Sequence, residues 1–288
     1  MSIESTQQHA HEVAAGERFS FGANWARFLQ LLNDERIAVA EESLRTMLHV
    51  QDLAGKTFLD AGSGSGLFSL AARRLGAHVH SFDYDPQSFA CTSELRQRYF
   101  PGDPNWRVDQ ASVLDPAYLG QLGTFDVVYS WGVLHHTGKM WDALANVAPL
   151  VAGGGRLFIA IYNDQGKTSR RWTTVKKAYC ALPGPFKWLV LWPAFVFLWW
   201  RRIVKDFLLL RPFASWREYT KLRGMSPWRD VVDWVGGYPF EVAKPEQLFH
   251  FYRDRGFVLT ELRTEGGDLG CNELVFVKKA GEPAGSPK

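Results

Sequence analysis

The stretch Lys56–Gly66, K-T-F-L-D-A-G-S-G-S-G, decides how the rest of the chain is read. Thr57–Asp60 has the composition of a short buried strand, with Phe58 and Leu59 at its centre and an acid at its carboxyl end. Gly62, Gly64 and Gly66 then alternate with Ser63 and Ser65, and Leu67–Leu75 opens a helix. A strand, a glycine-rich turn and a helix in that order present unpaired backbone N–H groups to a ligand at the strand end. Glycine permits the turn's backbone angles and, at Gly62 and Gly64, is expected to keep side chains out of the ligand's volume. The spacing is G-x-G-x-G, not the dinucleotide G-x-G-x-x-G. Asp60 stands two residues before the first glycine, where it favours a cationic group and repels a pyrophosphate. The plainer alternative is a turn that only joins strand to helix.

Downstream, strand and helix patterns alternate, which predicts a parallel sheet with helices on both faces. His78–Phe82 is the second strand and runs into Asp83-Tyr84-Asp85-Pro86. Asp83 lies 23 residues beyond Asp60, close to the spacing at which an acid grips ribose hydroxyls in doubly wound folds. Asp85 and Pro86 read as the cap and first turn of the next helix. Trp106–Asp109, Phe125–Ser130 and Arg156–Tyr162 are further strands. A helix over Pro245–Arg255 and two antiparallel strands, Phe257–Arg263 and Cys271–Lys279, close the pattern.

The G-x-G-x-G turn behind an acid, the acid ending the second strand and the run Asp126–Ser130 resemble motifs of the class I S-adenosylmethionine methyltransferases. The resemblance runs from Lys56 to Lys279, outside one insertion. It implies an α/β, Rossmann-like fold: a mostly parallel seven-stranded sheet with helices on both faces. It also implies S-adenosylmethionine, which carries an ammonium and a sulfonium, as cofactor. Asp60, Gly62, Ser63 and Gly64 would hold the methionine end, Asp83 the ribose and Tyr84 the adenine face. Asp109 and Ser112 are the candidates at the adenine edge, and Ser130 and Trp131 border methionine and acceptor. The segments Y-S-W-G-V-L-H-H-T-G and D-W-V-G-G-Y-P-F-E-V-A-K-P-E look like bacterial proteins similar to polyprenyl-hydroxyphenol and demethylubiquinone O-methyltransferases. Some quinone methyltransferases carry a Glu-x-x-Glu-His-type run after the fourth strand, associated with a divalent metal. Val133-Leu134-His135-His136 has no acids there, so no metal is expected.

His135 or His136 could take the proton of an attacking hydroxyl, since an imidazole titrates near pH ~6.5. Proximity alone is the competing account, because the sulfonium methyl is itself strongly electrophilic. Tyr162, Asn163, Trp234, Tyr238 and Glu241 are candidate acceptor contacts.

The chain has 288 residues, of which 46% are hydrophobic, enough for one enlarged domain or a domain with an insertion. Residues 1–17 read as a flexible lead-in, 18–55 as a helical cap with Phe21, Trp25 and Arg27 as lid candidates, and 56–165 as the core. Residues 244–279 return to the core, and 280–288 form a disordered tail. Between them, 166–243 is a helical insertion unlike the remainder. Lys167 to Arg229 holds fourteen Lys or Arg against two acids, a net +12, so with the chain at +3 the rest carries −9. Eight of the twelve tryptophans fall between Trp172 and Trp234. The uncharged run Trp188–Trp200, broken by Pro193 and closed by Arg201-Arg202, is too short to span a bilayer.

Tryptophan and basic residues around short apolar runs suit an anionic membrane surface, here through 186–211. An internal lid competes; nucleic acid fits poorly, because long aliphatic runs interrupt the basic residues. Three scattered cysteines and a polar amino terminus are expected of a cytoplasmic protein, peripheral at the inner membrane face. Together these readings predict methyl transfer to a small lipophilic acceptor, a prenylated phenol or quinol hydroxyl. The alternatives are a sugar of a surface polysaccharide or glycolipid, and a catalytically silent S-adenosylmethionine-binding scaffold.

Overall fold

The computed structural model describes residues 3–223, 227–266 and 269–280. The chain divides into two compact units: Met1–Gln7, Gly22–Gln165 and Glu241–Lys288 form one, and Gln8–Phe21 with Gly166–Phe240 the other.

The first unit is built on seven strands: β1 (Thr57–Ala61), β2 (His78–Asp83), β3 (Trp106–Gln110), β4 (Phe125–Trp131), β5 (Val151–Tyr162), β6 (Phe257–Arg263) and β7 (Cys271–Lys278). Their order across the sheet is β3-β2-β1-β4-β5-β7-β6. The first five are mutually parallel, and β7 is antiparallel to both β5 and β6. This is the Rossmann-like sheet that the alternating pattern predicts. Successive strand residues point to opposite faces, so each strand feeds two cores. Phe58, Val127, Tyr129, Phe158 and Val275 pack to one side. Leu59, Val128, Leu157, Ile159, Leu274 and Phe276 pack to the other. Helices cover both faces, which is why β5 is apolar without alternation over Leu157–Ile161.

Helix α1 (Ile3–Ala14) stands where a flexible lead-in was expected. The Thr6 hydroxyl and the Gln110 side-chain amide bond to each other at 3.0–3.2 Å, and Arg18 closes an ion pair with Glu12 at 2.8 Å. A partner as distant as Gln110 leaves no local pattern in sequence. The cap comprises α2 (Gly22–Gln30) and α3 (Asp34–Leu48), the latter started by the Asn33 side chain accepting from the Arg36 N–H. Helices α4 (Leu67–Arg74), α5 (Pro86–Tyr99), the short α6 (Pro116–Leu119) and α7 (Met140–Val147) follow their strands. Asp85 caps α5 by accepting from Gln87 N–H, with Pro86 in the first turn, as the Asp-Pro pair predicts.

The second unit carries α8 (Lys167–Ala181), α9 (Trp188–Leu208), α10 (Ala214–Arg223) and α11 (Pro227–Gly236); α12 (Pro245–Arg253) returns to the first. Pro193 does not break α9, a helix of 21 residues. It lies in the second turn, where its missing N–H costs one bond, to the Leu189 carbonyl. Leu191, Ala194 and Trp199 turn inward at three- to five-residue spacing, and Trp199 meets Tyr219 at 5.2 Å and Trp216 at 5.8 Å. No helix among the described residues is long and apolar enough to cross a membrane. The expected tail lies outside the described residues, apart from Ala280.

Lys176 of α8 is fully buried in this unit. Its amine donates to the Trp234 carbonyl and lies 4.1 Å from the Trp234 ring and 4.6 Å from that of Phe240. Burial pulls its pKa down from 10.5 to about 7. Between those values the unfolded chain binds the proton and the folded chain does not, so stability rises with pH across that window. Denaturant titrations at pH 7 and pH 9 should show this rise, worth at most about 1.4 kcal/mol per pH unit. Lys176→Met should flatten it.

Candidate functional site

In an open parallel sheet the ligand crevice forms at the carboxyl ends of strands where the strand order reverses. Here β1 lies between β2 and β4, so Asp60, Asp83 and Trp131 end neighbouring strands. Asp60 is buried and accepts from the Ser69 hydroxyl at 2.5 Å. Ser69 Oγ also lies 2.7 Å from Ser81 Oγ, which accepts from the Trp106 indole N–H at 3.0 Å. This buried polar chain ties β1, α4, β2 and β3 together below the crevice. Burial raises the Asp60 carboxyl to about pKa 7; the Ser69 hydrogen bond works against that shift, and the charge of Asp83 adds to it.

The turn above it is set by glycine geometry. Gly62 has φ +85° and Gly64 φ +55°, a left-handed region that side chains disfavour. The N–H groups of Gly62 and Ser63 both donate to the Phe82 carbonyl, at 2.8 and 3.1 Å. The Gly64 N–H donates to Asp83 Oδ2 at 2.8 Å, and the Asp85 N–H to Asp83 Oδ1 at 2.9 Å. The turn and the acid of β2 are thus one hydrogen-bonded assembly, with half-buried Tyr84 next in sequence. The space beside the two glycines differs from expectation. A Cβ on Gly62 would lie 2.3 Å from the Val133 side chain, and one on Gly64 3.3 Å from the Trp25 indole. Protein side chains occupy that volume, so the bare backbone admits Val133 and Trp25. Of the other lid candidates, Phe21 falls in the second unit, and the Arg27 side chain lies outside the described residues.

Several candidates prove to brace the crevice. Ser63 Oγ pairs with Thr92 Oγ1 at 2.8 Å, and Ser130 Oγ donates to the Ala61 carbonyl at 2.7 Å. Asp109, expected at the adenine edge, sits inside β3 with its carboxylate engaged by His80, Tyr118 and Arg107. The strand end is instead Gln110, in register with Asp83. Ser112 Oγ accepts from the Leu114 N–H at 3.1 Å, a local turn bond. Trp131 is 43% exposed, and its indole N–H donates to Glu273 at 2.8 Å. Glu273 escaped the sequence reading because only the antiparallel register of β7 on β5, Ala160 opposite Glu273, brings it there.

The two histidines part company in environment. His135 has no exposed surface, and its Nδ1 accepts from the Tyr162 N–H at 3.4 Å, which places the ring proton on Nε2. Its ring lies 4.1 Å from that of Tyr162 and 4.5 Å from that of His136. Its carbonyl accepts from the Glu241 N–H at 3.0 Å, and Glu241 Oε2 accepts from the Met140 N–H at 2.9 Å. Glu241 therefore starts α7. His136 retains 9% exposure. Asn163 Oδ1 accepts from the Asn272 amide at 3.2 Å. Trp234 and Tyr238 belong to the second unit, where Trp234 packs edge-on to Trp172 at 5.4 Å. Among the described residues, no group of three or more His, Cys, Asp or Glu is placed to hold a metal ion.

Residues 59–157 match the family described as "Methyltransferase domain". That match covers about a third of the chain, and the sheet order above is the Rossmann-like order of the methyltransferase fold. The chain is similar to the tRNA U34 carboxymethyltransferase of Pseudomonas savastanoi, 38% identical over 108 residues, 37% of this chain and 32% of that protein. It spans about a third of the length of the curated relatives it matches. Among solved structures it resembles an O-methyltransferase family protein from Burkholderia thailandensis, with TM-score 0.53 and 15% identity, over 86% of this chain and 59% of that one. It also resembles the 1,6-didemethyltoxoflavin-N1-methyltransferase of the same organism, solved with bound 1,6-didemethyltoxoflavin and S-adenosylhomocysteine. That likeness has TM-score 0.51 and 16% identity, over 93% of this chain and 90% of that one.

Gly62→Ala should be destabilising on two counts. The left-handed backbone costs an L-residue about 1–2 kcal/mol, and the Val133 overlap adds about 1–3 kcal/mol. In a denaturation cycle, Val133→Ala should recover the overlap cost and leave the backbone cost.

Proposed function

We propose that the chain is a methyltransferase that uses S-adenosylmethionine to methylate a hydroxyl of a small lipophilic acceptor, of the prenylated phenol or quinol kind. The observation that carries the cofactor reading is the pair of carboxylates, Asp60 and Asp83, flanking a glycine turn at adjacent strand ends. Burial and a neighbouring acid both hold Asp60 toward its neutral form, and a cationic ligand would reverse that balance. A pyrophosphate would worsen it. The fit is therefore to a ligand bearing positive charge, as S-adenosylmethionine does.

In this reading Asp83 binds the ribose hydroxyls, while Asp60 and the turn orient the methionine end. S-adenosylmethionine supplies the electrophilic methyl group when bound. The protein would orient the acceptor hydroxyl at the crevice and exclude water. His136, the more exposed histidine, receives the hydroxyl proton. His135 acts as a positioning residue, fixed between Tyr162 and Glu241. The lipophilic acceptor is supported by the abundance of exposed apolar residues along α9. The curated relatives' name makes tRNA the contrasting acceptor.

Labelled methyl from S-adenosylmethionine should enter the organic phase of a total lipid extract and not purified tRNA; label in tRNA alone would refute the acceptor class. Asp83→Asn should weaken cofactor binding by roughly 1.5–3 kcal/mol in calorimetry, the range for a hydrogen bond to a charged group. His136→Ala should lower turnover on the order of 10²-fold with cofactor affinity retained. Because a cationic ligand prefers ionised Asp60, affinity should rise as pH increases from about 5.5 to about 7. Asp60→Asn should abolish that rise.

A further inference from the structure

We infer that the outer face of α9 docks on an anionic lipid bilayer, with the helix lying in the plane of the membrane–water interface. The inference shares the exposed residues of α9 with the acceptor reading, rests on the second unit alone and is tested without methyl transfer. A helix with one buried stripe normally shows solvent a polar face. In α9 the exposed side is also apolar. Trp188, Trp192, Val196, Trp200, Ile203 and Phe207 recur every three or four residues, between 48% and 76% exposed. At a rise of ~1.5 Å per residue this stripe runs about 30 Å, and single scattered apolar residues would need no such explanation. It continues past the helix end, where Leu210 is 87% and Phe213 73% exposed. Both have left-handed backbones, at φ 50° and 62°, which bulky side chains disfavour. The chain thus presents apolar tips at a conformational cost.

The charges select the occupant. Arg201, Arg202, Lys205 and Arg211 are all exposed along the same stretch. Arg201 lies over the exposed Trp200 ring at 5.6 Å, and Arg202 over Trp199 at 4.8 Å. The one acid of α9, Asp206, is turned away to bond the Ser215 N–H at 2.9 Å and its hydroxyl at 2.6 Å. A second copy of this chain could cover the stripe but would bring further cations, not anions, to the basic end of the helix. A bilayer with anionic headgroups pairs the cations and takes the tryptophans at the depth they favour. The helix cannot cross that bilayer, because Arg201 and Arg202 interrupt it within twenty residues.

The test is sedimentation of the full-length protein with vesicles of phosphatidylglycerol and phosphatidylcholine, or of phosphatidylcholine alone, at low and high salt. Wild-type protein should pellet with the anionic vesicles, less so as salt rises. Arg201→Gln with Arg202→Gln and Lys205→Gln should weaken this binding by about two orders of magnitude and flatten its salt dependence. Trp192→Ser with Trp200→Ser, or Phe207→Ser with Leu210→Ser, should weaken binding to both vesicle types, since salt does not screen apolar burial. All these positions are exposed, so two independent apolar pairs guard against one failing to fold. Wild-type protein that stays in the supernatant at low salt overturns the inference. So does vesicle-independent self-association, seen by light scattering and lost in the tryptophan variants, which would assign the face to a second copy. Neither result bears on methyl transfer, which the labelled-methyl assay reads separately.

Discussion

The hydrogen bond from the Ser69 hydroxyl to the buried Asp60 carboxyl is the interaction on which the candidate site depends. A lone carboxyl at the end of a buried strand is costly, and it stays there because Ser69 reaches it from the first turns of α4. Ser69 is itself held by Ser81, and Ser81 by Trp106, so the acid is anchored across three strands. The anchor fixes how α4 leaves β1, and hence where the glycine turn stands over the sheet edge. The same burial that makes Asp60 structurally demanding raises its pKa to about 7.

Asp83 completes the assembly by accepting two backbone N–H groups, one from the turn and one from its own loop. Phe82 accepts two more from the turn. Four main-chain donors are therefore committed to β2, and this commitment holds the turn in left-handed angles that only glycine takes without strain. Val133 and Trp25 close on the bare backbone from either side. The glycines thus have two reasons to be there, and contact with a ligand is not needed to explain either.

The second unit follows another logic. Its interior is aromatic: Trp172 packs on Trp234 with the buried Lys176 beside it, and Trp199 packs on Trp216 and Tyr219. A polar exterior would make this an ordinary helical subdomain. Instead α9 exposes a long apolar stripe, with its exposed cations on the other side of the helix near its carboxyl end. Hydrophobicity without a polar face is stable only where something apolar covers it.

Local pattern alone determined the strand–turn–helix, the alternation that makes a parallel sheet, the acid ending β2 and the Asp-Pro helix start. Each depends on neighbours within a few residues, where backbone sterics and side-chain periodicity act directly. The same local reasoning counted the charge and tryptophan of the insertion. It misjudged residues 3–14, Pro193 and Asp109 because their fates turn on distant partners or on place within a helix: Gln110 for Thr6, the second turn for Pro193, and His80 with Tyr118 for Asp109. The separation of His135 from His136 could not be read from two identical adjacent letters. Burial by Tyr162 and Glu241, 27 and 106 residues away in sequence, decided which imidazole is enclosed and which keeps a surface. Glu273 met Trp131 for the same reason, since an antiparallel register is set by the packing of whole strands and not by either residue.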